Sequence, residues 1–249
     1  MKKIMKVCSL VFSIWLTVGC SIVPDSSQAF LSSVPQSESS PSALSSEVVS
    51  MPDIISSLKA AENTSQIITV VLQSGSLATI TLYEKSDSGW SQTLSTDGFI
   101  GYAGMTENKT EGDGCTPVGC YTFGTAFGIP EDPGTSLSYR QLTEDDYWVD
   151  DSDSQYYNQM VNTGKVEKDW ESAEHLITET KAYQYAAFIK YNADGEPGKG
   201  SAIFLHCLAG SSTAGCVSVP EEIMVELLQK IGDTSRIIIV KSIDDLSKY

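Results

Sequence analysis

Gly200-Ser201-Ala202-Ile203-Phe204-Leu205-His206-Cys207, followed after a short gap by Thr213-Ala214-Gly215-Cys216-Val217, is the stretch on which the fold turns. Residues 201–206 are nearly all apolar, which predicts a strand covered on both faces and central in its sheet. The glycine ahead of Cys216 marks a turn after it. Pro220, then Glu221 and Glu222, then Ile223, Val225, Leu227, Leu228 and Ile231 predict a helix of about three turns. Residues 236–241 close with another buried strand.

Working outward, 67–73 and 78–83 are β-rich runs joined by Ser74-Gly75-Ser76, a hairpin signal. A weaker strand at 90–96 leads into Gly98-Phe99-Ile100-Gly101-Tyr102-Ala103-Gly104. Glycines at 112, 114, 119, 124 and 128 make 111–128 turn and strand territory. A short helix is expected at 56–61, a strand at 185–191 and a helix-like stretch at 170–179. The middle, 131–180, is acidic and aromatic, and its run Glu144-Asp145-Asp146-Tyr147-Trp148-Val149-Asp150-Asp151 reads first as solvated surface. The pattern is mainly β with a few helices (α+β), one unit over 51–249.

The 249 residues leave ample length for a hydrophobic core, and 41% hydrophobic with 19% charged is globular composition. The formal net charge is −16. So acidic a body is repelled by phosphate backbones, which argues against nucleic acid as a partner. Two His and six Cys are too few for a multi-histidine metal cage, and no cofactor or metal is expected.

Lys2, Lys3 and Lys6 followed by an apolar stretch from Val7 to Val18 read as an export signal over 1–20. Its end, Thr17-Val18-Gly19-Cys20, resembles the bacterial lipobox, with Thr17 where Leu is usual. Cys20 is then the lipidation site and the membrane anchor, facing the protein toward the cell wall in the envelope. The alternative is an ordinary cleaved signal and a secreted protein. Residues 21–50 hold 12 Ser and read as a flexible spacer.

For chemistry, His206 ends an apolar strand and Cys216 follows a glycine-bearing turn. A thiol is a nucleophile as thiolate, and a nearby imidazole supplies the base. Glycine before the Cys permits close substrate approach and lets backbone N–H groups face a developing oxyanion. Alone, one Cys and one His are more often packing residues or half of a disulfide.

Taken together, the 200–207 and 213–217 segments resemble the active-site segment of the L,D-transpeptidase (YkuD-type) family, a strand-terminal His and then a Ser/Thr-x-Gly-Cys turn. Glu111-Gly112-Asp113-Gly114-Cys115-Thr116-Pro117-Val118-Gly119 resembles that family's E-G-D-x-x-T-P-x-G turn. Ser172-Ala173-Glu174-His175-Leu176 and Tyr191-Asn192 are similar to a secreted bacterial branch. The resemblance spans about 65–241 and implies a β-sandwich-like catalytic domain acting on peptidoglycan stem peptides. Cys216 would attack an amide carbonyl, release the terminal D-alanine, and pass the acyl group to an amine of a neighbouring stem. His206 would take the thiol proton; Gly215 and Cys216 N–H would hold the oxyanion; Thr213, Ala214 and Gly215 would border the substrate. His175 is a surface histidine or a substrate contact at the mouth of the site.

The sequence departs from the family at Ala214, where His is common, at Ser218, where Arg is common, and in a shorter His-to-Cys loop. Hydrolysis, an L,D-carboxypeptidase, is therefore the alternative to transfer. Among the cysteines, a small disulfide between Cys115 and Cys120 is plausible. Cys207 is expected as a packed thiol on the strand face opposite His206. The competing accounts pair Cys207 with Cys216 in a non-catalytic wall-binding protein, or place zinc on His206, Cys207 and Cys216.

Overall fold

In a computed structural model that describes residues 49–249, β1 (Gln66–Ser74) and β2 (Leu77–Ser86) form the expected antiparallel hairpin, and β3 (Gly89–Phe99) continues the meander. The export signal, Cys20 and most of the Ser-rich spacer lie outside the described residues. Then follow β4 (Met105–Thr106), β5 (Thr116–Pro117), β6 (Gly119–Tyr121), β7 (Phe123–Gly128), β8 (Tyr139–Gln141) and β9 (Asp146–Val149). The chain ends through β10 (Met160–Asn162), β11 (Ala173–His175), β12 (Ala186–Ile189), β13 (Phe204–Cys207), β14 (Val217–Val219) and β15 (Arg236–Val240). Among the described residues two α-helices, α1 (Met51–Ser57) and α2 (Glu221–Lys230), complete a mostly β domain.

Ten strands make one sheet in the order β6-β15-β1-β2-β3-β14-β13-β12-β7-β8. One face of the sheet carries the largest of its apolar cores. Ile68, Ile80 and Ile239 from one half meet Phe123, Ile189, Leu205 and Val217 from the other, and Met224, Leu227 and Leu228 of α2 pack against them. Each such side chain contributes about 1.5–3 kcal/mol on leaving water. Pro220 stands just ahead of α2 at its N-cap position, Glu221 and Glu222 sit in its first turn and Lys230 in its last, as its dipole favours.

On the sheet's other face a second, aromatic cluster joins Phe127, Trp148, Tyr183, Phe188 and Phe204. Phe204 meets Trp148 edge-on with ring centroids 4.7 Å apart. This cluster seats the small sheet β10-β9-β11 against β12 and β13. Side chains alternate along β13: Leu205 and Cys207 enter the first core, while Phe204 and His206 face the aromatic side.

Parallel β13 and β14 pair His206 with Ser218, and the link between them pairs Thr213 with Gly101 on its way. β3 meets β14 backbone to backbone at Gly98, where an added Cβ would lie 2.2 Å from Ser218 O.

Several expectations are corrected. The strand read at 201–206 starts at Phe204, because Ala202 takes φ 53° and gives its N–H to Asn158 Oδ1 at 3.0 Å. The stretch 170–179 is no helix; β11 pairs with β9, and a 3-10 turn, Leu176–Thr178, follows. The helix read at 56–61 runs earlier, from Met51, capped by Ser50, with a separate 3-10 turn at Lys59–Ala61. The Cys115–Cys120 disulfide is not formed. Cys115 Sγ turns to Ala103 O at 3.5 Å, while β6 carries Cys120 into its pairing with Ile238. Cys207 and Cys216 are both free thiols in separate cores on opposite faces of the sheet, which rules out their pairing and any shared metal.

Candidate active site

β13 and the turn before β14 bring His206 and Cys216 to the wall of one cavity of about 400 Å³. Thr213, Ala214 and Gly215 line it too, with Lys109, Glu111, Asp150, Glu174 and Tyr183. His175 does not.

His206 Nδ1 lies 2.7 Å from Cys207 O. A carbonyl only accepts, so Nδ1 carries the proton and Nε2 keeps its lone pair. Burial lowers the imidazole pKa to about 4, outweighing the carbonyl bond, which raises it. The ring is thus neutral at physiological pH, in the tautomer that can take a proton. Tyr183 fixes it edge-on, ring centroids 5.8 Å apart.

Cys216 Sγ donates to Ala202 O at 3.1 Å and accepts from Phe204 N–H at 3.3 Å. Burial pushes its pKa up to about 12, with Glu174 adding to the rise and the Phe204 N–H and Lys109 opposing it. The resting pair is therefore thiol and neutral imidazole. Removing the thiol proton costs least where an acceptor stands ready, which is the part Nε2 can play.

The turn carrying Cys216 is braced from two sides. Thr213 Oγ1 donates to Cys216 O at 2.7 Å and Thr116 Oγ1 at 3.2 Å. Gly215 has φ 149°, and a Cβ there would lie 2.9 Å from Cys115 O. Its N–H is given to Thr213 Oγ1 at 3.1 Å, so the oxyanion role expected of Gly215 is taken up by an internal bond.

The turn 111–119 supplies support behind the site. Glu111 Oε2 accepts from Ser201 Oγ at 2.7 Å and from Tyr157 OH. Asp113 receives Lys109 Nζ at 2.6 Å and Cys115 N–H at 2.9 Å. Burial would raise the Asp113 pKa, yet these bonds hold it below the ordinary carboxylate range.

Strand alternation corrects the reading of His175. Its ring stacks on Tyr147 at 4.4 Å and Nε2 contacts Glu144 O at 2.8 Å, away from the cavity. Its neighbour Glu174 points inward instead, Oε2 accepting from Tyr183 OH at 2.5 Å. Burial raises the Glu174 pKa to about 7, with Asp150, Glu179 and Glu111 adding to it against the Tyr183 bond. Glu174 and Lys109 were missed from sequence. A two-residue period across 173–175 would have turned Glu174 inward, but three residues are too few to show one.

The chain matches the family profile described as YkuD, L,D-transpeptidase catalytic domain, over residues 65–239, and it belongs to that family. No protein with a curated description matches it. Among solved structures it is similar to the helical cell shape determining protein Pgp2 from Campylobacter jejuni, at 16% identity, TM-score 0.39, over 73% of this chain and 49% of that one. Bdellovibrio bacteriovorus Bd1075 follows at 14% identity and TM-score 0.39, over 77% and 55%. The Ldtfm-avibactam carbamoyl enzyme gives 13% and 0.34, over 72% and 50%. The chain spans about half the length of these structures.

Proposed function

We propose that this chain is a peptidoglycan L,D-transpeptidase whose nucleophile is Cys216 and whose general base is His206. The observation that carries this reading is the fixed tautomer of His206. With Nδ1–H held by Cys207 O, Nε2 keeps its lone pair at neutral pH, and His206 and Cys216 line one cavity. Sγ attacks the carbonyl of a stem-peptide amide as its proton moves to Nε2, and that proton then leaves with the departing D-alanine amine. The thioester's acyl group then passes to an acceptor amine of a second stem, the C–N bond forming as the C–S bond breaks and the amine proton returning to the Cys216 sulfur, and cross-linking results.

A second reading, hydrolysis of the same thioester, draws on Ser218, which offers no cation where family members often carry Arg. Incubation with tetrapeptide-bearing muropeptides separates the two. Cross-linked dimers support transfer, shortened monomers alone support hydrolysis, and no acyl-enzyme by intact mass overturns both.

The N-terminal sequence supports export and anchoring through a lipid on Cys20, with the 21–50 spacer letting the domain reach the wall. Secretion after ordinary cleavage is the alternative, and detergent partitioning of the mature protein distinguishes them.

A further inference from the structure

We infer that Asn158 is a positioning residue for the nucleophile: its side chain fixes the backbone at Ala202, and that backbone sets where the Cys216 sulfur sits. This rests on the reading of Cys216 as the reacting thiol, and it assigns a role to a residue outside the cavity wall.

One short piece of main chain brackets the sulfur. Ala202 O accepts the thiol proton at 3.1 Å, and Phe204 N–H, two residues on, donates to the same sulfur at 3.3 Å. The conformation of 202–204 therefore places both groups. β13 begins at Phe204, so its ladder with β12 does not hold Ala202. Ala202 has φ 53°, left-handed backbone that its Cβ disfavours, whereas Gly200 takes φ 99° freely. A strained residue persists where its surroundings over-determine it. Gly200 is held from two sides, its N–H by Tyr157 OH at 3.0 Å and its carbonyl by Asn192 Nδ2 at 2.9 Å. At Ala202 itself the holding group is Asn158, whose Oδ1 takes the Ala202 N–H at 3.0 Å.

The Asn158 amide can hold because it has no freedom left. It is 3% exposed, and each of its four hydrogen-bonding positions is filled. Oδ1 also accepts from Trp148 Nε1 at 3.0 Å, while Nδ2 donates to Tyr191 O at 3.1 Å and Asn192 O at 2.7 Å. Two donors meet one end and two carbonyls the other, so a flipped amide would set like against like. The amide thus ties β9 and the chain just after β12 to the segment ahead of β13. That tie ends on the carbonyl that carries the thiol proton. When the proton passes to His206, the Phe204 N–H stays on the sulfur and steadies the charge it gains.

The test reads the thiol directly. The S–H stretch of Cys216, isolated by infrared difference against Cys216→Ser in each background, reports the acceptor on its proton. Asn158→Gly removes the amide, and glycine adopts the φ 58° of position 158 without strain. Its Cys216 band should move to higher wavenumber as the bond to Ala202 O is lost. Acylation at saturating tetrapeptide-bearing muropeptide should fall on the order of 10²-fold, with the half-saturating concentration held within about twofold. Trp148→Phe removes a bond from the same Oδ1 but spares the one to Ala202. Its band should stay in place and its acylation should drop by no more than about threefold, whatever the change in Tm. If Asn158→Gly does not fold, Ala202→Val, whose branched side chain rejects φ 53°, should move the band the same way with Asn158 intact. An unmoved band in the folded variant, or equal acylation losses for Asn158→Gly and Trp148→Phe, overturns the inference and leaves the transpeptidase reading standing. No acyl-enzyme on the unaltered protein overturns that reading, and this inference with it.

Discussion

Cys207 and Cys216 are the same side chain in two settings. Both are free and buried, at 1% and 9% exposure, and burial pushes both thiols up to about 12. One packs among Ile, Leu and Val in the first core and turns its sulfur to Tyr185 O at 3.4 Å. The other opens on the cavity beside His206. The tendency to stay protonated thus does not tell the proposed nucleophile from the packed thiol. What separates them is the face of the sheet, and with it the presence of an imidazole holding a free lone pair.

The largest expected effect breaks the comparison outright if it fails. Cys216→Ser should lower acylation by a stem peptide on the order of 10⁴-fold or more while leaving the circular dichroism spectrum and Tm close to those of the unaltered protein. Turnover at the original rate would mean that the reacting atom lies elsewhere.

Next comes His206→Ala, expected to lower acylation at pH 7 by about 10²–10⁴-fold. Its pH profile sharpens the assignment. With His206 present, the base is neutral above its pKa of about 4, so acylation is lost as pH falls through 4 and needs no free thiolate. Without it, the rate follows the thiolate fraction of a group titrating near 12, and should rise roughly tenfold per pH unit between 7 and 10. A variant with a flat profile over that range would remove the imidazole from the proton path.

The contrast between the two thiols was half legible in the sequence. The apolar run before His206 and the alternation rule place Cys207 opposite His206, and the Gly215-Cys216 pair signals the turn. The hairpin at Ser74-Gly75-Ser76 and the helix after Pro220 were equally readable, since their signals are local. What was not readable depends on distant partners. Ala202 has no intrinsic reason to adopt φ 53°; Asn158 holds it there from 44 residues away. β11 exists because β9 pairs with it, and only that pairing turns Glu174 inward and His175 onto Tyr147. Cys115 and Cys120 are spaced for a bridge, yet β15 claims the strand that carries Cys120.

A smaller effect probes how the turn carrying Cys216 is held. Thr213→Val removes the 2.7 Å bond to Cys216 O and frees Gly215 N–H from its acceptor. Thr116 still braces the same carbonyl, so the fold persists. Acylation should drop about tenfold with a stability loss of about 1 kcal/mol, read by single-turnover mass spectrometry and urea unfolding.

The smallest effect on chemistry belongs to Cys207→Ala, and it tests whether the two faces of β13 are independent. The residue contributes to the site through its carbonyl, which holds His206 Nδ1, and truncating the side chain leaves that carbonyl in place. The thiol fills space in a core where it is 1% exposed, so its loss leaves a small cavity. That should cost about 1–2 kcal/mol of stability and lower Tm by a few degrees, about 2–4 °C per kcal/mol for a domain of this size. Acylation by Cys216 should stay within about twofold, because no hydrogen bond at His206 Nδ1 or Cys216 Sγ involves the Cys207 sulfur. A fall in acylation as deep as that of His206→Ala, with Tm unchanged, would show that the sulfur acts on the reacting pair through the strand, and the division between the two faces would have to be given up.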